Sequence, residues 1–370
     1  MVHDLIFFPD YRVANPYQRL LYDHAGAELH PRPGTVTDAL TLLRKADGSR
    51  VIFHLHWEDA AYRNEADEPQ AWAAAQAFLS ELEMFADAGG RVLWTLHNTA
   101  PHDGRWLAVH EALVDRLPQL VDLVHVHSHA AADWVTSRLG VDPARIAIVP
   151  HGNYLPLYHP MNGSAAGVRV RIGLPEDGRI LLLFGRLGAY KGAEALLQAL
   201  AGIDAPDLHL VVAGREVDPL EPLLARLPPP VLARIHHRTG HVSEEDVEPL
   251  FAAADAVVLP YRAILTSGTA LLALSLRRPV IAPALPSLRE LLEDGSDALL
   301  YPPDDPGGLA DALRRFRGLG PKQLRTMQAS AHAKALRHDW RQSGLLLAGL
   351  FHLLLHKTKP QRLVAAASGG

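Results

Sequence analysis

Short apolar segments rich in β-branched residues alternate with longer helical stretches along this 370-residue chain. In the first half, the apolar segments lie at residues 5–8, 51–57, 92–97, 123–127 and 146–150, and helical stretches lie near 70–88, 105–117 and 130–139. This alternation is typical of parallel sheets built from βαβ units. The pattern therefore predicts an α/β fold.

The alternation starts again after an irregular stretch at residues 153–167, with apolar segments at 180–184, 208–213, 234–237, 256–259, 280–282 and 299–301. A single hydrophobic core stops growing near ~250–300 residues, so two domains are expected. Ligands of doubly wound sheets bind outside the carboxyl ends of the strands, which predicts one site in the cleft between two facing sheets. We expect domains at residues 1–158 and 159–338, with a last helix near 340–356 placed to pack back on the first.

Composition excludes several classes of protein. The formal net charge is -5, so the chain lacks the basic field of nucleic-acid binders. It has no cysteine, which removes disulfides, thiolate catalysis and cysteine-bound zinc. The first residues lack a basic region, and the apolar run at 344–355 is shorter than the roughly 20 residues that span a bilayer. We expect a cytoplasmic protein without a membrane-crossing helix or a nucleic-acid partner.

The clearest functional motif follows the apolar segment at residues 180–184. Gly185 and Arg186 come directly after it, Lys191 follows five residues later, and a helical stretch begins at once. Two cations and several free amides then lie where a helix dipole favours an anion. An ordinary strand-to-helix turn with two solvated cations is the plainer interpretation of this loop alone.

A second candidate for phosphate binding lies about three βα units later. Ser267, Gly268 and Thr269 lead from an apolar segment into a helical stretch. A capped helix start explains this turn equally well when it is considered alone. Two such turns in one predicted domain together favour a diphosphate site.

These motifs resemble those of a known family. The segments 185–192, 211–214, 254–261 and 278–282 are similar to the donor-binding domain of GT-B glycosyltransferases, in the group 1 and family 4-like superfamily. Residues 149–153 resemble its interdomain turn, and residues 94–98 resemble a strand end of its acceptor domain. The similarity covers roughly residues 50 to 340. It implies two facing Rossmann-like domains, the first binding the acceptor and the second a nucleotide-sugar donor.

The resemblance also implies roles for individual residues. It implies that the donor diphosphate binds to the two turns above, at Gly185, Arg186, Lys191, Ser267, Gly268 and Thr269. It also implies that the nucleobase and ribose lie near Gly214, Arg215 and Val242. The candidate interdomain and acceptor residues are Asn15, Tyr17, His56, Asn98, His151 and Gly152.

The implied activity is hexosyl transfer from a donor of the GDP-mannose or UDP-glucose type, without metal or other cofactor. The acceptor is a glycan, a glycolipid or a small molecule. Peripheral association with the inner face of the membrane and the oligomeric state stay open.

One departure from the family pattern bears on the mechanism. Retaining members carry two glutamates eight positions apart, and Ile264 and Leu272 occupy those positions here. Neither side chain can hydrogen-bond a sugar hydroxyl. The departure favours an inverting branch similar to bacterial exopolysaccharide β-mannosyltransferases. A retaining transferase with a non-standard donor site, and a two-domain sugar-phosphate enzyme such as an epimerase, are the alternatives.

An inverting transfer needs a general base beside the acceptor hydroxyl. Three successive predicted strands end in polar residues, and from these we select Glu58 and Asp103 as candidate bases. The family resemblance implies that His97 is a sugar or phosphate contact. The alternative for each histidine is a purely structural role, in which a strand-end residue orients a loop through hydrogen bonds. Histidines two positions apart share one face of a strand and therefore also suggest a metal site. The cationic loop, however, offsets the charge of a diphosphate without a metal ion, so we expect no metal site.

Overall fold

The computed structural model describes residues 3–26, 29–45, 51–101, 103–161 and 165–356. These residues form two six-stranded sheets in which every strand pair is parallel. The order along the first sheet is β2-β1-β3-β4-β5-β6, and along the second it is β12-β11-β10-β7-β8-β9. The predicted α/β class with two doubly wound sheets is confirmed.

The first part of the chain contains the elements β1 (His3–Phe8), α1 (Tyr17–Tyr22), β2 (Leu29–Pro33), α2 (Val36–Lys45), β3 (Ile52–Leu55), α3 (Glu68–Asp87), β4 (Arg91–Thr95), α4 (Leu107–Arg116), β5 (Leu123–Val126), α5 (His129–Leu139) and β6 (Ile146–Ile148). All residues of β3, β4 and β5 are buried. These strands are buried on both faces because helices cover both sides of a parallel sheet.

The second part contains α6 (Ala165–Arg171), β7 (Arg179–Phe184), α7 (Ala193–Ala201), β8 (Leu208–Gly214), α8 (Glu221–Leu224), α9 (Pro229–Leu232), β9 (Ile235–Thr239), α10 (Glu244–Ala253), β10 (Ala256–Val258), α11 (Gly268–Ser275), β11 (Val280–Pro283), α12 (Pro286–Leu291), β12 (Ala298–Tyr301), α13 (Gly308–Arg317), α14 (Pro321–Leu336) and α15 (Trp340–His356). Two apolar clusters, one on each face, form the core of this sheet.

The sequence did not predict the helices α2, α6 and α9, nor β2 and α14. The last two show why such elements were missed. Strand β2 pairs only with β1, is largely exposed and contains two prolines, so it lacks the apolar pattern of a central strand. Helix α14 buries only Leu324, Met327, Ala331 and Ala335, a narrow stripe with weak periodicity. Both elements depend on neighbours that are distant in the sequence.

The last helix returns to the first sheet. Helix α15 contacts α1 and β3, and its buried Trp340 donates a hydrogen bond to the carbonyl of Asn153 at 2.5 Å. A Cβ on Gly152 would overlap the Trp340 ring, so this glycine allows the helix to pack closely. The limits assigned to the two domains remain predictions. None of the helices in the described part of the chain is long and apolar enough to cross a membrane.

Candidate active site

The carboxyl ends of the two sheets border a cavity of ≈ 180 Å³. Both halves of the chain contribute to its wall, which consists of His127, Ser128, His129, Ile148, Pro150, His151, Leu265, Thr266, Ser267, Leu271, Ser287, Leu288, Glu290, Leu291 and His338. The cavity therefore lies where two facing α/β sheets are expected to bind a ligand.

Lys191 is a buried cation at the carboxyl end of β7. It is 3% exposed, and its ammonium donates hydrogen bonds to the carbonyl of Phe184 at 3.0 Å, to Thr269 Oγ1 at 3.2 Å and to the hydroxyl of Tyr261 at 3.3 Å. These partners are neutral oxygens. Among the described residues, no carboxylate lies within ion-pair distance of this ammonium. A buried charge without a counter-ion is costly, so this site favours an anionic ligand.

The turn before α11 brings the second predicted phosphate motif beside Lys191. Ser267 Oγ accepts a hydrogen bond from the Ala270 amide at 3.1 Å and therefore caps the helix. Its hydroxyl also lies 2.8 Å from the hydroxyl of Tyr261. A Cβ on Gly268 would lie 2.7 Å from the hydroxyl of Tyr154, so a larger residue here would have to displace that tyrosine. The structure brings the two predicted turns together.

Arg186 differs from Lys191 because its side chain is exposed. Its guanidinium forms no ion pair within the described parts of the chain. Burial raises the pKa of Tyr11, and the charges of Arg63 and Arg186 oppose that rise. Arg186 therefore lies close enough to the first half of the chain to influence it across the cleft.

The remaining predicted donor residues surround the same turn. Gly185 and Gly214 both have positive φ, 102° and 137°, and a Cβ on Gly214 would overlap the carbonyl of Gly185. This close approach packs the ends of β7 and β8 together. Arg215 is exposed, and Val242 is half-buried against the core of the second sheet.

Histidines from three neighbouring strands gather in the first half of the cleft. His54, His56, His97, His125 and His127 are each at most 9% exposed. His151, from the interdomain turn, joins them through ring contacts with His127 and Trp340.

Burial lowers the pKa of every histidine in this cluster. The pKa of His125 falls to about 4 and those of His127 and His151 to about 3, while those of His54, His56 and His97 lie well below the ordinary value. Desolvation of the charged ring is the main cause, and repulsion from neighbouring histidines lowers the pKa of each ring further. These side chains are neutral at pH 7.

Tyr17 and His56 lie inside the cluster instead of on its surface. Tyr17 is 1% exposed, its hydroxyl lies 3.2 Å from His127 Nε2, and its ring meets the edge of His97. Asn15 accepts a hydrogen bond from the amide of Tyr17 at 3.1 Å, close to the start of α1. Asn98 is half-buried beside His97. Tyr17 therefore packs within the histidine cluster.

Glu58 is buried against the core of the first sheet. It is 4% exposed and accepts a hydrogen bond from the indole of Trp94 at 3.1 Å. Burial, reinforced by the charge of Asp59, raises the pKa of Glu58 to about 8. The carboxyl therefore carries a proton at neutral pH, which disfavours a general base. Asp103 is half-buried and accepts a hydrogen bond from the Arg105 amide at 3.1 Å.

Three residues that the sequence did not single out belong to the site. Tyr261 joins Lys191 to Ser267, and the hydroxyl of Thr266, which lies on the cavity wall, has no hydrogen-bond partner within the described residues. Glu290 reaches across the cleft to the start of α5. Tyr261 and Thr266 stand in the motif itself, whereas the sequence carries no signal for Glu290 because its partners are backbone amides.

Ile264 and Leu272 are apolar residues that also lie in apolar surroundings. Both pack against the core of the second sheet, and Leu272 is 7% exposed. Across the described segments, no group of three or more histidine, aspartate or glutamate side chains is arranged to hold a metal ion.

Two facing parallel sheets, a basic turn and a capped helix start define a glycosyltransferase of the GT-B class. Residues 178–317 match the family described as glycosyl transferases group 1, and residues 66–153 match glycosyltransferase family 4. The chain belongs to this family. Membership favours the transferase over the epimerase alternative.

Similar proteins agree with this assignment. The chain is 32% identical to a GDP-mannose:glycolipid 4-beta-D-mannosyltransferase of Xanthomonas campestris pv. campestris, over 73% of this chain and 70% of that protein. It is 29% identical to a D-inositol 3-phosphate glycosyltransferase of a Nocardioides species, over 54% of this chain and 47% of that protein.

The fold is also similar to solved structures. Anabaena HepE in complex with UDP-glucose matches with a TM-score of 0.71 and 16% identity, covering 94% of this chain and 99% of that one. Sucrose-phosphate synthase from Thermosynechococcus elongatus matches with a TM-score of 0.64 and 22% identity, over 89% and 82% of the two chains. These similarities support the fold.

Proposed function

We propose that this glycosyltransferase moves a hexose from a nucleotide-diphosphate sugar to a glycan or glycolipid acceptor. The observation that carries the proposal is the buried ammonium of Lys191, which is surrounded by neutral oxygens beside the N-terminus of α11. A diphosphate supplies the missing negative charge and accepts hydrogen bonds from amides at that helix start. Exposed Arg186 adds a second cation from the turn after β7.

GDP-mannose is the first donor to test. The Xanthomonas relative is named for it, and the chain is 32% identical to that relative over most of both chains. UDP-glucose is the second, because HepE was solved with it. The same relative supports a glycolipid acceptor. For such an acceptor, cytoplasmic location with peripheral attachment to the inner face of the membrane stays our prediction.

We further propose that the transfer inverts the anomeric configuration and needs no metal ion. Ile264 and Leu272 leave the donor sugar without carboxylate partners, so a direct displacement assisted by a base in the first half is the simpler chemistry. A β-mannosyl product, as named for the Xanthomonas relative, requires inversion from an α-linked donor. We favour Asp103 over Glu58 as the base because the Glu58 carboxyl is protonated at neutral pH.

The test of donor binding compares GDP, GMP and GDP-mannose by calorimetric titration. The wild-type chain should bind GDP more tightly than GMP, since the second phosphate reaches the cations. Replacing Arg186 with alanine removes a charge-assisted hydrogen bond and should cost about 1.5–3 kcal/mol of GDP affinity while leaving GMP affinity nearly unchanged.

A matched control is Arg325→Ala, which removes an exposed arginine on α14 away from the cleft. It should bind GDP like the wild type. Equal GDP affinity in Arg186→Ala and Arg325→Ala would contradict the assignment of the loop. Parallel titrations with UDP, UMP and UDP-glucose identify the nucleobase of the donor. Tighter binding of UDP than of GDP would indicate a uridine donor instead of GDP-mannose.

A further inference from the structure

The buried histidines of the first sheet form one continuous hydrogen-bonded chain. At its inner end, His125 Nε2 lies 3.0 Å from the carbonyl of Val149, and His125 Nδ1 lies 2.8 Å from the hydroxyl of Thr95. That hydroxyl lies 2.7 Å from His54 Nε2. The first three members therefore connect β5 to β4 and β3.

The same chain continues toward the cleft. His54 Nδ1 lies 2.8 Å from the hydroxyl of Tyr22, and this hydroxyl lies 2.7 Å from His56 Nε2. His56 Nδ1 then lies 3.1 Å from His97 Nε2. His54, His56, Thr95 and His125 are each 0% exposed, so no solvent enters the inner part of the chain.

The carbonyl at the inner end fixes the direction of the first bonds. A carbonyl oxygen only accepts, so His125 Nε2 must donate. A neutral imidazole has one N–H, so His125 Nδ1 accepts from Thr95. The single hydroxyl hydrogen of Thr95 is then used, and its oxygen accepts from His54 Nε2.

The positions of the remaining hydrogens, from Tyr22 to His97, follow in the same way. His54 Nδ1 has no hydrogen, so Tyr22 donates to it and accepts from His56 Nε2. His56 Nδ1 in turn accepts from His97 Nε2. His97 is thereby left with its hydrogen on Nε2 and a lone pair on Nδ1. Within the described residues Nδ1 has no hydrogen-bond partner, and His97 retains 7% exposure at the carboxyl end of β4.

We propose that Thr95 and Tyr22 are positioning residues that fix the tautomer of His97 through this chain. His97 then presents an acceptor nitrogen to the cleft. An acceptor nitrogen binds a hydroxyl group and is repelled by an ionised phosphate oxygen, which has no hydrogen to donate. His97 is therefore a contact for a sugar hydroxyl and not for the diphosphate. This last step rests on the proposed function, whereas the tautomer does not.

The first test is nuclear magnetic resonance of the full chain labelled with ¹⁵N-histidine, without ligand. The His97 signals are assigned by their loss in His97→Gln. The wild-type ring should be protonated on Nε2 only. Tyr22→Phe interrupts the chain at one hydroxyl and keeps the ring that packs 4.9 Å from Phe7, so the Nδ1-protonated form of His97 should become populated.

Tyr17→Phe is the matched control. Tyr17 is also a buried tyrosine of α1 bonded to a histidine, but His127 donates directly to Val149 and this branch does not include His97. Tyr17→Phe should leave the His97 tautomer unchanged. Thr95→Val should act like Tyr22→Phe, and Thr95→Ser should restore the wild-type spectrum. A wild-type His97 protonated on Nδ1, or an unchanged tautomer in both Tyr22→Phe and Thr95→Val, overturns the proposal.

A second measurement tests the sugar contact. Tyr22→Phe and Thr95→Val should weaken binding of the nucleotide sugar about 5- to 10-fold, as for the loss of one hydrogen bond, and leave the affinity for the nucleoside diphosphate unchanged. An equal loss for both ligands would overturn the assignment to a sugar hydroxyl. Failure of the wild type to bind any nucleotide would contradict the proposed function, and the ligand-free spectra would still decide the tautomer.

Discussion

Glu290 of the second half accepts hydrogen bonds from the backbone amides of His129 at 2.8 Å and Ala130 at 3.1 Å. Both amides belong to the first turn of α5 in the first half of the chain. Ser128 accepts from the next amide, that of Ala131, at 3.1 Å. A carboxylate from one half therefore completes the N-terminal cap of a helix in the other half, where the helix dipole stabilises it.

Removing this carboxylate should loosen the contact between the halves. We expect Glu290→Ala to cost about 0.5–2 kcal/mol of stability, as for the loss of a helix cap. Urea unfolding measures this cost, and small-angle scattering of the ligand-free protein should show a larger radius of gyration. Glu111→Ala, an exposed glutamate on α4, is the control. Identical unfolding and scattering for the two variants would mean that the contact stabilises nothing.

The stereochemical outcome can be measured directly. Because Ile264 and Leu272 replace the carboxylates of retaining relatives, we expect the product to have the anomeric configuration opposite to that of the donor. The one-bond carbon–hydrogen coupling at the anomeric carbon reports it. A product of retained configuration would refute inversion outright.

The identity of the base is a separate prediction. Asp103→Asn should lower turnover roughly 10²–10⁴-fold with donor affinity nearly unchanged, since a base acts mainly in the transition state. Glu58→Gln should have a much smaller effect, because Glu58 carries a proton at neutral pH and bonds Trp94. The reverse order of effects would return the role to Glu58. Normal turnover in both variants would move the role to another residue, with His97 the next to test.

Chelation tests the expected metal independence. Arg186 and Lys191 supply positive charge to the diphosphate, so activity should persist in excess EDTA. The control is the same reaction with EDTA followed by surplus magnesium. Complete loss of activity that magnesium or manganese restores would show that a metal ion compensates the charge.

The buried histidines should make the fold sensitive to acid. Their pKa values are lowered in the folded state, to about 4 for His125 and about 3 for His127, so the unfolded chain binds more protons below pH 6.5. Their contribution to stability is complete above pH 6.5 and is lost as the pH falls toward 3–4, by about 1.4 kcal/mol per pH unit for each histidine. Glu58 has the opposite effect on stability between pH 4.5 and 8, because its pKa is raised in the folded state. It is a single group, and six histidines oppose it.

Urea unfolding at pH 7.5, 6.5, 5.5 and 4.5 measures this loss. The slope should be the same in His241→Gln, which replaces an exposed histidine. A free energy of unfolding that stays constant between pH 6.5 and 4.5 would show that the cluster is not buried in its neutral form.

The sequence alone determined the α/β class, the two sheets and the turns that carry Arg186, Lys191 and Ser267. These features are local: strand periodicity, glycine, hydroxyl and cationic residues follow one another within a few positions. The same local logic missed β2, whose prolines and exposure conceal an edge strand.

Only the tertiary structure decided how the polar side chains are used. Glu58 and Asp103 have similar strand-end positions in the sequence. In the structure, Glu58 is buried beside Trp94 and protonated, whereas Asp103 is half-buried. The histidine chain needs three strands in register, and Glu290 meets α5 across 161 residues of sequence. Burial and hydrogen-bond direction depend on these long-range contacts, which no local pattern encodes.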